Sequence, residues 1–255
     1  MPCVGLVVFA GCSLFIITPD PEIASRTGIL SNPPMGSSSS ASALPTVVID
    51  AGHGGIDEGC RGHGLLEKDL TLDLAARVDA MLQSYNIPTI LTRRDDRYVS
   101  LPERAAIANS FDRAIFVSIH FNQARSIADG IETYFADQKV PPEYAWTWVG
   151  IFGVPATPAS DTGEVLAGYI QAALVTKMNA NNRGIKSRNL YVVRHVYNPA
   201  VLVEAGFISN SLEAQLLRNT DYRERLAAGI AEGVLAYVKS QHPAKPATEL
   251  AEMKD

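Results

Sequence analysis

The run Val47-Val48-Ile49-Asp50-Ala51-Gly52-His53-Gly54-Gly55 constrains this chain more than any other. Three branched apolar residues in a row read as a strand buried on both faces, as parallel sheets require. The strand ends in a polar turn whose glycines permit a sharp bend or a close backbone approach. In an open α/β sheet, functional groups collect just past the carboxyl ends of the strands. His53 stands in such a place.

The same design recurs. Ala114-Ile115-Phe116-Val117-Ser118-Ile119 is a second apolar strand and ends at His120-Phe121-Asn122. Val201-Leu202-Val203-Glu204-Ala205-Gly206 is a third, with one ionisable residue before a glycine. Between them lie helical patterns. Leu70, Leu74, Val78 and Met81 or Leu82 recur at helical spacing over residues 67–84. Ser100-Leu101-Pro102-Glu103 has the form of a capping box with proline in the first turn. A helix over 162–180 follows, then strands at Leu190–Arg194 and Ala200–Glu204. Asn210 and Glu213 cap a short helix, and Asp221 and Glu224 cap a last long one carrying Leu226, Ile230, Val234 and Val238. Alternating strands and helices predict a single α/β domain: about six strands, mostly parallel, twisted, with helices on both faces.

The flanks differ in character. Residues 1–18 form an almost wholly apolar segment too short for a membrane span of about 20 residues and of the right length for a signal-peptide core. Phe9-Ala10-Gly11-Cys12 is similar to a bacterial lipoprotein signal, with Cys12 as the lipidated residue and membrane tether. No Lys or Arg precedes the run, and an uncleaved anchor or an ordinary secretory signal is the alternative. Residues 19–45 are rich in Pro, Ser, Gly and Ala and read as a flexible linker. The folded domain spans 46–240, and 241–255 reads as a disordered tail. The reading is extracytoplasmic: periplasmic, a membrane- or outer-membrane-anchored lipoprotein, or secreted. A net charge of −5 without a basic run argues against a nucleic-acid partner. Residues 136–160 hold four prolines and both tryptophans, which predicts a long loop or lid.

Neighbouring parallel strands deliver their carboxyl ends to one rim, so His53, His120 and Glu204 can meet. Glu67, at the start of the first helix, is a fourth candidate. Two histidines, a carboxylate and an open position make a catalytic zinc shell, with one Zn2+ per chain. A glutamate outside the shell can take a proton from water and return it to a leaving amine. Spacing alone leaves open the plainer reading of each: histidines satisfied by hydrogen bonds, a helix-start carboxylate, a structural ion pair. Asp50 either orients a ligand or stabilises its turn. Asn122 either binds substrate or fixes its loop. Arg93 and Arg104 each either meet a substrate carboxylate or form a salt bridge inside the fold.

Taken together, several motifs carry a resemblance. These are Ile49-Asp50-Ala51-Gly52-His53-Gly54-Gly55, Glu67-Lys68-Asp69-Leu70, Thr92-Arg93-Arg94-Asp95, Arg104 to Asn109, Val117-Ser118-Ile119-His120-Phe121-Asn122, Gly130-Ile131-Glu132, and Leu202 to Asn210. In this order the set resembles the zinc-dependent N-acetylmuramoyl-L-alanine amidases of the amidase-3 type, over residues 46 to 238. The resemblance implies a six-stranded α/β domain that cleaves the amide between N-acetylmuramic acid and L-alanine of peptidoglycan or muropeptides. It implies His53, Glu67 and His120 as zinc ligands and Glu204 as the catalytic glutamate. Ala51 stands where the family more often has proline. Some members carry an inserted helix that blocks the zinc site until a regulatory partner removes it, and residues 136–160 occupy the comparable region. A zinc hydrolase acting on another cell-wall amide and a non-catalytic wall-binding module are the competing readings.

Overall fold

The computed structural model describes residues 44–137 and 161–241. The signal segment, nearly all of the linker, the bulk of the 136–160 loop and the tail after residue 241 lie outside the described residues.

A six-stranded sheet runs in the order β4-β1-β5-β8-β6-β7. Its strands are β1 (Thr46–Ala51), β4 (Thr89–Leu91), β5 (Ala114–Asn122), β6 (Ile131–Phe135), β7 (Asn182–Ser187) and β8 (Ala200–Phe207). Every pairing is parallel except β6 against β8. A two-stranded ribbon, β2 (Arg61–Gly62) and β3 (Leu65–Leu66), leads into helix α1 (Glu67–Ser84). The other helices are α2 (Leu101–Asn109), α3 (Asp161–Met178), α4 (Tyr191–Arg194), α5 (Ser211–Arg218) and α6 (Thr220–Gln241).

Strand residues alternate between the two faces of the sheet. On one face Val47, Ile49, Val117, Ile119, Val201 and Val203 pack under α1, α3 and α6 in the larger core. On the other face Val48, Phe116, Leu202 and Tyr134 pack against Ala105 and Ala108 of α2 and Val192 and Val193 of α4. Continuing by twos along the second face gives Asp50, Ser118, His120, Glu204 and Glu132. The apolar half of that face anchors the strands, and its other half carries ionisable groups.

Two expectations need correction. Leu190–Arg194 is not a strand: α4 occupies it, burying Val192 and Val193 on the sheet. Two adjacent β-branched valines mimic a strand, whereas here they cap the smaller core. The sixth strand is instead β7, whose sequence Asn-Arg-Gly-Ile-Lys-Ser lacks an apolar alternation because it is an edge strand, partly exposed along its length. The last helix begins one residue before Asp221, and Asn219 caps it, its side chain accepting from the Asp221 and Tyr222 amides. The Ser100 and Asn210 caps form as expected.

Candidate metal centre

The turn after β1 is bolted in place from beneath. Asp50 is fully buried and accepts from Thr92 Oγ1 at 2.7 Å, Ser118 Oγ at 2.7 Å and Arg104 Nη1 at 2.6 Å. Arg104 also donates to the Ala51 carbonyl and, through Nη2, to the His53 carbonyl, both at 2.7 Å. Asp50 therefore acts on His53 through Arg104 and touches no histidine ring in the described structure. Arg93, 1% exposed, donates to the carbonyls of Ala51, Gly52, Lys68 and Asp95. It is a clamp inside the turn, with no face left for a substrate carboxylate.

Held this way, His53 adopts φ +60°, an uncommon left-handed conformation for a residue with a side chain. Asp57, four residues on, receives a hydrogen bond from His53 Nδ1 at 2.9 Å. The opposite nitrogen, Nε2, lies 3.1 Å from Glu67 Oε1.

Glu67 opens α1 and is almost fully buried. Its Oε1 lies 2.9 Å from His120 Nδ1 and accepts from the Phe121 amide at 3.0 Å, while Oε2 accepts from the Cys60 amide at 2.7 Å. Burial alone would raise this carboxyl. The contacts with His120 and His53 outweigh it and hold Glu67 far below the ordinary carboxylate range. The imidazoles of His53 and His120 meet edge to face, with centroids 4.8 Å apart. Among the described residues, one donor atom each from His53, Glu67 and His120 fall within 4.8 Å of one another.

Two glycines make room for this packing. A Cβ on Gly52 would collide with the His120 imidazole, and one on Gly59 would come within 2.6 Å of both Glu67 Oε2 and His53 Cδ2.

Glu204 stands beside the cluster. It pairs in register with His120 of β5 on one side and with Glu132 of β6 on the other. Its Oε2 is closed off from solvent and takes no hydrogen bond among the described residues. Burial pushes the carboxyl up to about 7; the charges of Glu67 and Glu132 act in the same direction, and the histidines oppose them.

Asn122 Nδ2 donates to Glu132 Oε1 at 2.7 Å, so it fixes the strand end rather than facing the histidines. Glu132 also accepts from Tyr134 at 2.5 Å, Arg183 at 2.8 Å and Lys186 at 2.5 Å. Burial pushes Glu132 up, but these donors outweigh it and hold it at about 2. Two groups carry no assigned role in the sequence reading, although Glu132 stands in one of its motifs. Asp57 carried a usable signal, an acid four residues beyond a strand-end histidine in a glycine-rich turn. Glu132 carried one too, a lone acid in an otherwise apolar strand.

The structure thus brings His53, Glu67 and His120 together, sets Glu204 alongside them, and leaves Asp50, Arg93 and Asn122 as supports. Comparison with known proteins identifies the family. The amidase-3 family, described as N-acetylmuramoyl-L-alanine amidase, matches residues 47–236. The uncharacterized protein YqiI of Bacillus subtilis is 35% identical over 192 residues, 75% of this chain and 84% of that protein. N-acetylmuramoyl-L-alanine amidase LytC of the same organism is 33% identical over 195 residues, 76% of this chain but 36% of LytC. The crystal structure of an N-acetylmuramoyl-L-alanine amidase from Clostridium difficile 630 superposes with a TM-score of 0.67 at 34% identity, covering 78% of this chain and all (100%) of that one. By sequence over three quarters of its length and by fold, the chain belongs to the amidase-3 family of N-acetylmuramoyl-L-alanine amidases.

Proposed function

We propose that this domain hydrolyses the amide between the lactyl group of N-acetylmuramic acid and the L-alanine of the peptidoglycan stem peptide. In this reading one zinc ion is held by His53, Glu67 and His120, and Glu204 is the general acid and base. The observation that carries it is Glu204: a carboxyl in register with His120, with one oxygen shut away from solvent and without a hydrogen bond among the described residues. Burying such a group without a hydrogen bond is unfavourable unless it has work to do.

The donor set fits the metal. Two imidazole nitrogens and a carboxylate oxygen are the protein ligands of a catalytic zinc site that keeps a position open. With Nδ1 of His53 engaged by Asp57, Nε2 is the nitrogen left to ligate, and it faces Glu67. Zinc there supplies Lewis acidity, which polarises a carbonyl and brings the pKa of water to roughly 7. The chain's own groups do the rest. Glu204, as carboxylate, accepts a proton while water oxygen attacks the lactyl carbonyl carbon. It then delivers that proton to the alanine nitrogen as the C–N bond breaks, leaving a lactyl carboxylate on the sugar and a free amine on the peptide. Burial of Glu204 favours its protonated form, which lets it hold the proton between the two transfers. Asp57 keeps the His53 ring oriented throughout.

Such a substrate lies outside the cytoplasmic membrane. The apolar segment 1–18 and linker 19–45 support export, with Cys12 as a lipid tether in the envelope. Incorporation of labelled palmitate that is lost in Cys12→Ser tests the tether.

Digestion of purified peptidoglycan followed by mass spectrometry tests the reaction. The expected products are stem peptides beginning with free L-alanine and glycan that keeps its lactyl carboxylate. Release of other fragments would assign the site to another cell-wall amide. Binding without release would make the chain a wall-binding module.

A further inference from the structure

We infer that the cavity beside His53 and His120 receives the muramyl side of the substrate, so that the peptide side runs over Glu204 toward Glu132. The inference rests on the reading of Glu204 as the group that protonates the leaving nitrogen.

The residues of one sheet face stand in a row across the strands: Asp50 on β1, His120 on β5, Glu204 on β8, Glu132 on β6. Glu204 separates the histidine cluster from Glu132, since it pairs with His120 on one side and Glu132 on the other. The nitrogen of the scissile amide must lie against Glu204. The acyl half then extends from the histidines away from Glu132.

On that side is a cavity of about 200 Å3, with His53 and His120 in its lining. Val99, Val192 and Leu202 make it apolar, and Tyr98 and Tyr191 bring aromatic faces. Tyr98 is half exposed, as is Leu101 beside it. A concave, largely apolar site with a few polar groups suits a pyranose carrying an acetamido and a lactyl methyl. Aromatic rings add large contact area with a polar tip. Beyond Glu204 the chemistry is different. Arg183 and Lys186 both bind Glu132 Oε2 and both remain partly exposed. Their remaining donors suit the free carboxylates of a stem peptide and offer nothing particular to a neutral sugar.

Two substrates with the same scissile bond separate the halves: a muramyl peptide, and a D-lactoyl peptide of identical sequence lacking the sugar. Tyr98→Ala and Leu101→Trp alter half-exposed positions at the cavity. Each is expected to lower the preference for the muramyl peptide, as the ratio of the two kcat/KM values, by roughly tenfold. Binding gives a readout independent of turnover. In Glu204→Gln protein, saturation-transfer NMR should show contact with free N-acetylmuramic acid, and adding Tyr98→Ala should abolish it. An unchanged substrate ratio together with undiminished transfer overturns the inference and leaves the amidase reading intact. A wild-type chain that cleaves neither substrate overturns both.

Discussion

Asp57 Oδ2 sits 2.9 Å from His53 Nδ1, on the opposite side of the imidazole from Glu67. The carboxylate can only accept, so it fixes the proton on Nδ1 and leaves Nε2 for a metal. Asp57→Ala should therefore weaken zinc binding by about 10–100-fold, the range for removing such a partner. Competition with a fluorescent chelator measures this directly, and unchanged affinity would refute the orienting role.

Glu204 is a different case, because no donor atom of it belongs to the close cluster of His53, Glu67 and His120. Glu204→Gln is expected to keep one zinc per chain by elemental analysis and to lose about 10²–10⁴-fold in kcat, the usual contribution of a positioned proton carrier. Full activity in that variant would sink the proposed mechanism.

Room for the His120 ring depends on Gly52, whose added Cβ would enter the imidazole. Gly52→Ala should lower metal content and activity together while leaving far-UV circular dichroism close to wild type. Retained metal would mean that β1 can shift without disturbing the cluster.

Arg104 and Asp50 form an ion pair with side chains 3% and 1% exposed. Removing one partner strands a buried charge, which costs about 3–5 kcal/mol. Asp50→Ala should lower the urea midpoint accordingly. It should also reduce metal affinity, since Arg104 loses the anchor from which it holds the His53 carbonyl.

Glu132 governs part of the acid response. Its donors hold it at about 2, below an ordinary value of 4.5. A group depressed in the folded state stabilises fully above its unfolded pKa and loses that contribution as pH falls through the folded one. Stability should therefore decline from about pH 4.5 toward pH 2. Glu132→Gln should flatten that portion of a stability-against-pH curve measured by denaturant titration.

Much of this was legible in the residues. His53, His120 and Glu204 each end an apolar strand, so their shared rim follows from parallel pairing alone. Glu67 was legible because it starts the helix after the first turn. The partners of these residues were not. Arg104 reaches His53 from 51 positions away, and nothing local distinguishes an arginine that binds backbone carbonyls from one that meets substrate. Edge strand β7 escaped for a related reason: with one neighbour and partial exposure it needs no apolar alternation. Its place was taken by Leu190–Arg194, whose valines are buried for helix packing instead.

The position of β8 has a consequence for assembly. It is the last strand among the described residues, yet it lies between β5 and β6. Until Ala200–Phe207 inserts, the sheet is split in two, with β5 and β6 as two further unpaired edges, and Glu204 is not yet beside the cluster. Folding must therefore close long loops before the long-range contacts reward it, which slows it. On the mechanism proposed above, a chain whose β8 has not yet inserted has no hydrolytic activity to direct at the cell that makes it.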